Sequence, residues 1–202
     1  MLIRNETGSD RPAISEVVTE AMKLLPQATG TEAAIIDRLR TDNALSLSLV
    51  AEDGGELIGY LAPSNARIGA VSGWGLIGPL AVHPSRHGQG IGSALMAEAL
   101  LRLWAICKGA ALVGDPGYYA RFGFRAFPQL RVGDCPPQFV QALPFDASEP
   151  EGELIHPGRT TDSAARSIPL AGNRPHGTQR DISAHLVARV GYRRAAAGRS
   201  EE

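Results

Sequence analysis

The sequence is poor in cysteine, aromatic residues and lysine: its 202 residues include two cysteines, 5% aromatics and two lysines. Cys107 and Cys135 cannot build a disulfide framework, and neither lies in a metal-ligand spacing such as Cys-x-x-Cys. No apolar run approaches the length that crosses a bilayer, and the first six residues carry charges where a signal peptide needs an apolar stretch. We therefore expect a cytoplasmic protein with no membrane partner and no metal.

The charge is balanced overall but unevenly distributed. The net charge is −1, which gives no electrostatic reason to expect a nucleic-acid partner. Residues 158–202 hold eight arginines and four acidic residues, so this segment is about +4 and the rest about −5. We predict a domain over residues 1–157 and an Arg/Ala-rich, flexible C-terminal extension over 158–202. A basic arm adds at most weak, salt-sensitive affinity for RNA.

Apolar periodicity and turn residues predict helices and strands in mixed order. The predicted helices are 10–26, 31–40, 90–108 and 116–122, and the predicted strands are 2–5, 46–52, 56–62, 74–82, 110–114, 124–127 and 152–156. Gly75, Gly78 and Pro79 interrupt the strand over 74–82, which indicates a bulge or the close approach of a ligand. This order of elements is typical of an α/β fold.

The segment with the clearest chemical signal joins that strand to the long helix. Gly88, Gly90 and Gly92 alternate there and allow several amide N–H groups to turn toward one point. A helix N-terminus adds unpaired donors, which favours a phosphate or pyrophosphate ligand. Arg86 and His87 stand beside the glycines as further donors.

Two common phosphate loops do not match. A P-loop needs Gly-Lys-Ser/Thr at the helix start, and this segment has no lysine. A dinucleotide fingerprint needs a third glycine where Ser93 stands. Taken alone, the glycines are equally compatible with a tight turn that only packs the helix against the strand.

The loop resembles the acetyl-coenzyme A loop of the GNAT N-acetyltransferase superfamily, whose pattern is Q/R-x-x-G-x-G/A. The matching residues are Val82-x-Pro84 and then Gly90-x-Gly92 before a long helix, with His87 in place of the usual Gln or Arg. Histidine is mostly neutral at pH 7 and cannot make the bidentate contact of arginine, so we expect somewhat weaker cofactor binding, with Arg86 as a substitute donor.

A second signature lies downstream of the helix. Tyr118-Tyr119, followed by Gly123-Phe124, resembles the aromatic-Tyr pair before x-x-x-Gly-Phe in the same superfamily. Gly-Pro-Leu at 78–80 and Leu-Val-Gly-Asp-Pro at 112–116 are most similar to the YhbS-like branch of predicted acetyltransferases. The resemblance covers about residues 1–157. It implies a GNAT-like α/β acyltransferase fold: a mixed, mostly antiparallel central sheet flanked by helices, with a splayed strand at the cofactor site.

The resemblance also implies a reaction and its residues. Acetyl-CoA acts as acyl donor and passes its acetyl group directly to a primary amine of a small molecule or peptide. Tyr119 corresponds to the general acid of the family, and main-chain groups at Leu80 and Val82 to those that bind the pantetheine arm. The implied cofactor-binding residues are Leu80, Ala81, Val82, Arg86, His87, Gly88, Gln89, Gly90, Ile91, Gly92 and Ser93. A non-catalytic acyl-CoA-binding or regulatory module is the alternative.

The sequence leaves the other half of the chemistry open. The general base is Asp115, Glu52, His83 or water, since residues 74–82 contain no acidic side chain. The acceptor amine is not defined, and a homodimer is one assembly that the sequence allows.

Overall fold

The computed structural model describes residues 1–24 and 30–156. Over these residues the chain forms helices α1 (Arg11–Lys23), α2 (Glu32–Thr41), α3 (Ile91–Trp104) and α4 (Pro116–Tyr119). Its strands are β1 (Leu2–Asn5), β2 (Leu49–Asp53), β3 (Glu56–Leu61), β4 (Ser64–Ile68), β5 (Val71–Leu76), β6 (Leu80–Val82), β7 (Gly109–Val113), β8 (Arg125–Ala126), β9 (Leu130–Arg131), β10 (Val140–Pro144) and β11 (Gly152–Ile155).

The strands form two sheets joined by one central hairpin. The first sheet has the order β1-β2-β3-β6 and the second β8-β10-β7-β5-β4-β11-β9. Strand β3 leads directly into β4, and β5 into β6, so each arm of the hairpin starts in one sheet and ends in the other. Within the described residues only the β5–β7 and β9–β11 pairs are parallel. The expected mixed, mostly antiparallel sheet is confirmed.

The first sheet is covered by helices on both faces because its strands alternate apolar side chains. Val50 and Tyr60 face α1 and α2 and join the core around Val18 and Ile36. Leu49 and its same-face neighbours pack against α3 on the other side, in the core with the members Ala51, Ile58, Leu95, Met96 and Leu103. Strand β3 faces α1 on one side and α3 on the other, so it is held by helices on both of its faces.

The second sheet curls around a core of its own. Its edge strands β8 and β9 are separated by only three residues of chain, so the sheet bends back on itself. The enclosed side chains include Trp74, Phe127, Leu130, Phe139 and Leu154, all buried. Ala111 and Val113 of β7 belong to this core, whereas Ala110 and Leu112 belong to the core with α3, so β7 is packed on both faces.

Most predicted elements are present, although several begin or end at other residues. The helix predicted over 10–26 is α1, which ends at Lys23, and residues 25 and 26 lie outside the described residues. The predicted strand over 74–82 is two strands, β5 and β6, and the predicted long helix ends at Trp104 and not at Lys108. Strands β4, β9 and β10 were not predicted. Residues 157–202 lie outside the described residues, so the boundary at 157/158 stays a prediction. No helix in the described ranges is long and apolar enough to span a membrane.

Candidate functional site

The centre of the molecule contains a gap between two strands. Strand β5 pairs in parallel with β7 as far as Leu76 and Ala111, and the Ile77 N–H donates to the Ala111 carbonyl at 2.8 Å. Beyond this point β6 turns away and pairs with β3, whereas Leu112 and Val113 pair only with β10 among the described strands. The two strands therefore splay apart, as the expected fold requires.

The alternation of hydrogen bonds turns one edge of β6 toward this gap. The His83 N–H donates to the Ile58 carbonyl at 2.9 Å, which marks the bonded pairs of the β3–β6 ladder. Ala81 lies two residues before His83, so its N–H and C=O groups point toward β3 in the same way. Those of Leu80 and Val82 consequently point away from β3, into the gap.

The gap ends at the start of α3, where backbone donors are exposed. Gly90 is the N-cap residue and has a φ of 79°, a left-handed conformation that suits glycine. It has no side chain to cap the helix, and the Ala94 N–H is bonded to the Gly90 carbonyl at 2.9 Å. The amides of Ile91, Gly92 and Ser93 are the unpaired donors of the first turn, and they carry the positive end of the helix dipole.

A tyrosine hydroxyl lies against the same helix start. The Tyr118 hydroxyl is 3.0 Å from the position that a Cβ on Gly92 would occupy. Any larger residue at 92 would force this tyrosine away. The Tyr118 ring also packs edge-on against Tyr119, with ring centroids 4.9 Å apart. Helix α4 is thereby held beside the first turn of α3.

These groups line one open pocket of about 470 Å³. Its walls come from the end of α1, from β6, from the glycine loop with the start of α3, and from α4 with the residues that follow it. The lining residues are Ala21, Met22, Leu80, Val82, Arg86, His87, Gly88, Gly90, Ile91, Gly92, Ser93, Tyr118 and Arg121. No carboxylate is among these described lining residues, which include the arginines Arg86 and Arg121.

The three basic side chains of the pocket have different partners. The Arg86 guanidinium contacts the Asp53 carboxylate at 2.7 Å, and the N-terminal ammonium of Met1 approaches the same carboxylate at 3.2 Å. These two cations hold the pKa of Asp53 below its usual value. The His87 Nε2–H donates to the Val82 carbonyl at 2.9 Å and ties the loop to β6. Arg121 is the third base.

Comparison with known proteins identifies the family to which this fold and pocket belong. Residues 44–126 match the acetyltransferase (GNAT) domain family. The crystal structure of a GNAT family acetyltransferase from Brucella melitensis in complex with acetyl-CoA is 38% identical, with a TM-score of 0.68, and the match covers 77% of this chain and 94% of that one. The chain belongs to the GNAT acetyltransferase family.

A second structure supports the same assignment for this GNAT acetyltransferase. The GNAT family N-acetyltransferase YhbS from Escherichia coli, solved in complex with CoA, is 29% identical with a TM-score of 0.70. That match covers 77% of this chain and 88% of the YhbS chain. The predicted resemblance to the YhbS-like branch is confirmed. No curated protein matches the sequence significantly.

The structure brings together nine of the eleven residues predicted to bind the cofactor of this acetyltransferase. The other two are Ala81 and Gln89. Ala81 is buried and its side chain belongs to the core beneath α1, because successive residues of β6 point to opposite faces. Gln89 is exposed on the outside of the loop. Because the main-chain groups of Ala81 also point toward β3, none of its groups faces the gap, whereas for Gln89 the predicted role stays a prediction.

Tyr119, the predicted general acid, does not line the pocket wall. Its ring packs against Gly114 at the end of β7, lies edge-on to Phe124 and is partly buried. Burial raises the pKa of the Tyr119 phenol above its ordinary value. The phenol therefore stays protonated near neutral pH, which suits a proton donor; the catalytic role itself stays a prediction.

The three candidate bases each have a hydrogen-bond or ion-pair partner outside the pocket. Asp115 accepts a hydrogen bond from the Gly117 N–H at 2.9 Å and caps α4. Glu52 is paired with Arg4 at 2.8 Å, and the His83 Nδ1 lies 2.8 Å from the Ser85 hydroxyl. None of the three lines the pocket.

Sequence reasoning missed four lining residues. Ala21 and Met22 come from the end of α1, and nothing local marks them as part of a site. Tyr118 belongs to the second signature, but nothing local shows that its hydroxyl reaches the start of α3. Arg121 follows Tyr118 by three residues, a spacing that places both on one side of a helical turn and that could have indicated their proximity.

Proposed function

We propose that the protein is an N-acetyltransferase that moves the acetyl group of acetyl-CoA to a primary amine of a small molecule or peptide. The observation that carries this proposal is that two groups of donors line the same pocket: the edge of β6 that is turned away from β3, and the first amides of α3. An extended chain with amide groups can pair with such an edge, and a pyrophosphate can bind such a helix start. The relatives crystallised with acetyl-CoA and with CoA support this choice of donor.

The proposed binding follows from the donors available along the pocket. The amides of the loop from Gly88 to Ser93, including Gln89, face the phosphates. The main-chain groups of Leu80 and Val82 bind the pantetheine arm, except for the Val82 carbonyl, which His87 already occupies. The thioester then lies in the gap between β6 and β7, where preorganised N–H donors can stabilise charge that develops on its oxygen.

The proposed chemistry is one direct transfer. The neutral amine attacks the thioester carbonyl carbon, a C–N bond forms, and the C–S bond breaks with both electrons leaving on sulfur. Tyr119 donates a proton to the departing thiolate, and water later restores that proton. The proton lost by the amine passes to water, because the described pocket wall has no carboxylate to accept it.

The test measures binding and turnover separately. Acetyl-CoA is expected to raise the melting temperature, because a ligand that binds only the native state stabilises it. Release of free CoA thiol is then followed with a panel of small amines and peptide N-termini. Binding without turnover on every amine would favour the non-catalytic acyl-CoA module. Absence of both would contradict both functions.

Tyr119→Phe is expected to lower kcat by about 10²-fold, because it removes the proposed proton donor to the leaving thiolate. Affinity for acetyl-CoA should change little, since the ring and its packing remain. Steady-state kinetics of thiol release at saturating acetyl-CoA measure this effect.

Tyr118→Phe is the matched control, because it removes the neighbouring hydroxyl, which lies at the helix start and not at the end of β7. It should weaken acetyl-CoA binding without the loss in kcat. Because burial raises the pKa of Tyr119, the ratio of wild-type to Tyr119→Phe kcat should be the same at pH 7 and pH 9. If Tyr118→Phe lost more kcat than Tyr119→Phe, the role of proton donor to the thiolate would belong to Tyr118.

A further inference from the structure

We propose that Arg121 supplies the free positive charge that binds the phosphate groups of coenzyme A. This inference rests on the proposed function and adds a binding residue that neither signature identifies. The pocket wall holds three basic side chains, Arg86, His87 and Arg121, and a coenzyme A molecule brings several negative charges to it. These three side chains differ in the charge that they can offer to a phosphate.

Arg86 has little. Its guanidinium is bonded to Asp53 at 2.7 Å, and that carboxylate also holds the N-terminal ammonium of Met1. The Nε2–H of His87 is used by the Val82 carbonyl at 2.9 Å. A phosphate near these two residues would meet a paired cation and an imidazole whose donor is occupied.

Arg121 differs because no carboxylate in the described part of the chain pairs with it. Its Nε–H donates to the Tyr118 carbonyl at 2.9 Å, and its guanidinium carbon lies 4.8 Å from the centroid of the Tyr118 ring. These contacts use one of five N–H groups and leave the two terminal nitrogens available. Arginine donors in this planar arrangement bind phosphate in a bidentate manner.

The contacts with Tyr118 also orient the guanidinium before any ligand binds. The Tyr118 hydroxyl is fixed against Gly92 at the start of α3, so Tyr118 connects Arg121 to the exposed helix amides. A side chain that is held in place loses less conformational entropy on binding. The geometry therefore places a prearranged cation opposite the backbone donors of the glycine loop.

The test compares Arg121→Gln with wild type in calorimetric titrations with CoA. The variant should bind CoA about tenfold more weakly, since one charge-assisted contact is lost, and Arg121→Lys should recover part of the affinity. The KM for acetyl-CoA should rise in parallel with the Kd for CoA, because the same contact holds the acyl donor.

Arg125→Gln is the matched control. Arg125 is also exposed and also stacked on an aromatic ring, with its guanidinium carbon 4.1 Å from the Phe127 ring centroid, but it does not line the pocket. Its removal should leave the Kd for CoA unchanged. Equal losses in Arg121→Gln and Arg125→Gln would overturn the proposal, since only net charge would then matter.

Two further ligands locate the contact. S-acetylpantetheine has no phosphate, so Arg121→Gln should bind it as wild type does, and a tenfold loss there would overturn the proposal. With 3′-dephospho-CoA, a persisting loss assigns Arg121 to the pyrophosphate, and a vanishing loss assigns it to the 3′-phosphate. Unchanged CoA binding by Arg121→Gln overturns this inference alone, whereas failure of the wild-type protein to bind CoA overturns the proposed function itself.

Discussion

Replacing Gly90 by glutamate is expected to abolish acetyl-CoA binding, with Kd raised at least ~10³-fold. Gly90 has a φ of 79°, and a left-handed conformation costs a residue with a side chain about 1–2 kcal/mol. A carboxylate at this N-cap also lies next to the amides proposed to bind phosphate, where like charges cost on the order of several kcal/mol. Calorimetric titration with acetyl-CoA and thiol release should both show the loss.

Two controls separate charge from strain. Gly90→Asn introduces a neutral residue that tolerates a left-handed conformation and should keep Kd within about tenfold of wild type. Gly54→Glu places the same side chain at a positive φ of 59°, in the β2–β3 turn outside the pocket, and should bind acetyl-CoA normally. If Gly90→Glu and Gly54→Glu bound equally well, the phosphate site would not lie at the start of α3.

Arg40→Met is expected to lower the free energy of unfolding by about 3–5 kcal/mol, because it leaves a largely buried carboxylate without its cation. Arg40 joins α2 to the first sheet: its Nε and Nη2 donate to the two carboxylate oxygens of Glu6, each at 2.7 Å. The Ser48 hydroxyl donates to the same carboxylate and lies 2.8 Å from the hydroxyl of the fully buried Tyr60. Urea denaturation at pH 7 measures the loss.

Arg38→Met is the control, because Arg38 lies on the same helix and its side chain is 62% exposed in a pair with Asp42. Loss of such an exposed pair should cost less than about 1 kcal/mol. Equal destabilisation by both variants would show that the network around Glu6 adds nothing beyond an ordinary surface pair.

The effect of Arg40→Met should also depend on pH. Burial acts to raise the pKa of Glu6, but hydrogen bonds from Arg40 and Ser48 outweigh it and lower that pKa below its ordinary value. The stabilisation is therefore fully present above the unfolded pKa of about 4.3 and is lost as pH falls through the folded pKa. The gap between wild type and Arg40→Met should narrow in urea melts at pH 3.5. An unchanged gap would contradict this account.

Local signals were sufficient for much of the fold. The glycine loop and the start of α3 depend on neighbours in sequence, and both were predicted. The glycines and proline of 74–82 indicated an irregular strand, but not that the chain changes partner from β7, which pairs with β5, to β3, which pairs with β6. That exchange depends on contacts with residues far away in sequence, such as the bond from Ile77 to Ala111. Strands β9 and β10 form for similar tertiary reasons, and β9 has only two residues.

The site was predictable in its backbone and less so in its charges. The residues of the loop line the pocket because a short segment between a strand and a helix must lie where these two elements meet. Arg86 was predicted to compensate for the histidine beside it, yet its partner Asp53 is 33 residues away and could not be inferred from the loop. Glu52 and Asp115 were reasonable bases by position, but their hydrogen-bond partners occupy them.

The curled second sheet has a consequence for self-association. Exposed strand edges are where protein copies stack into aggregates, and natural proteins protect them with short strands and with charges. Among the described residues this sheet ends in β8 and β9, which are two residues long and each contain an exposed arginine, Arg125 and Arg131. A second molecule that tried to add a strand at either side would find few unpaired amides and a like charge in its path.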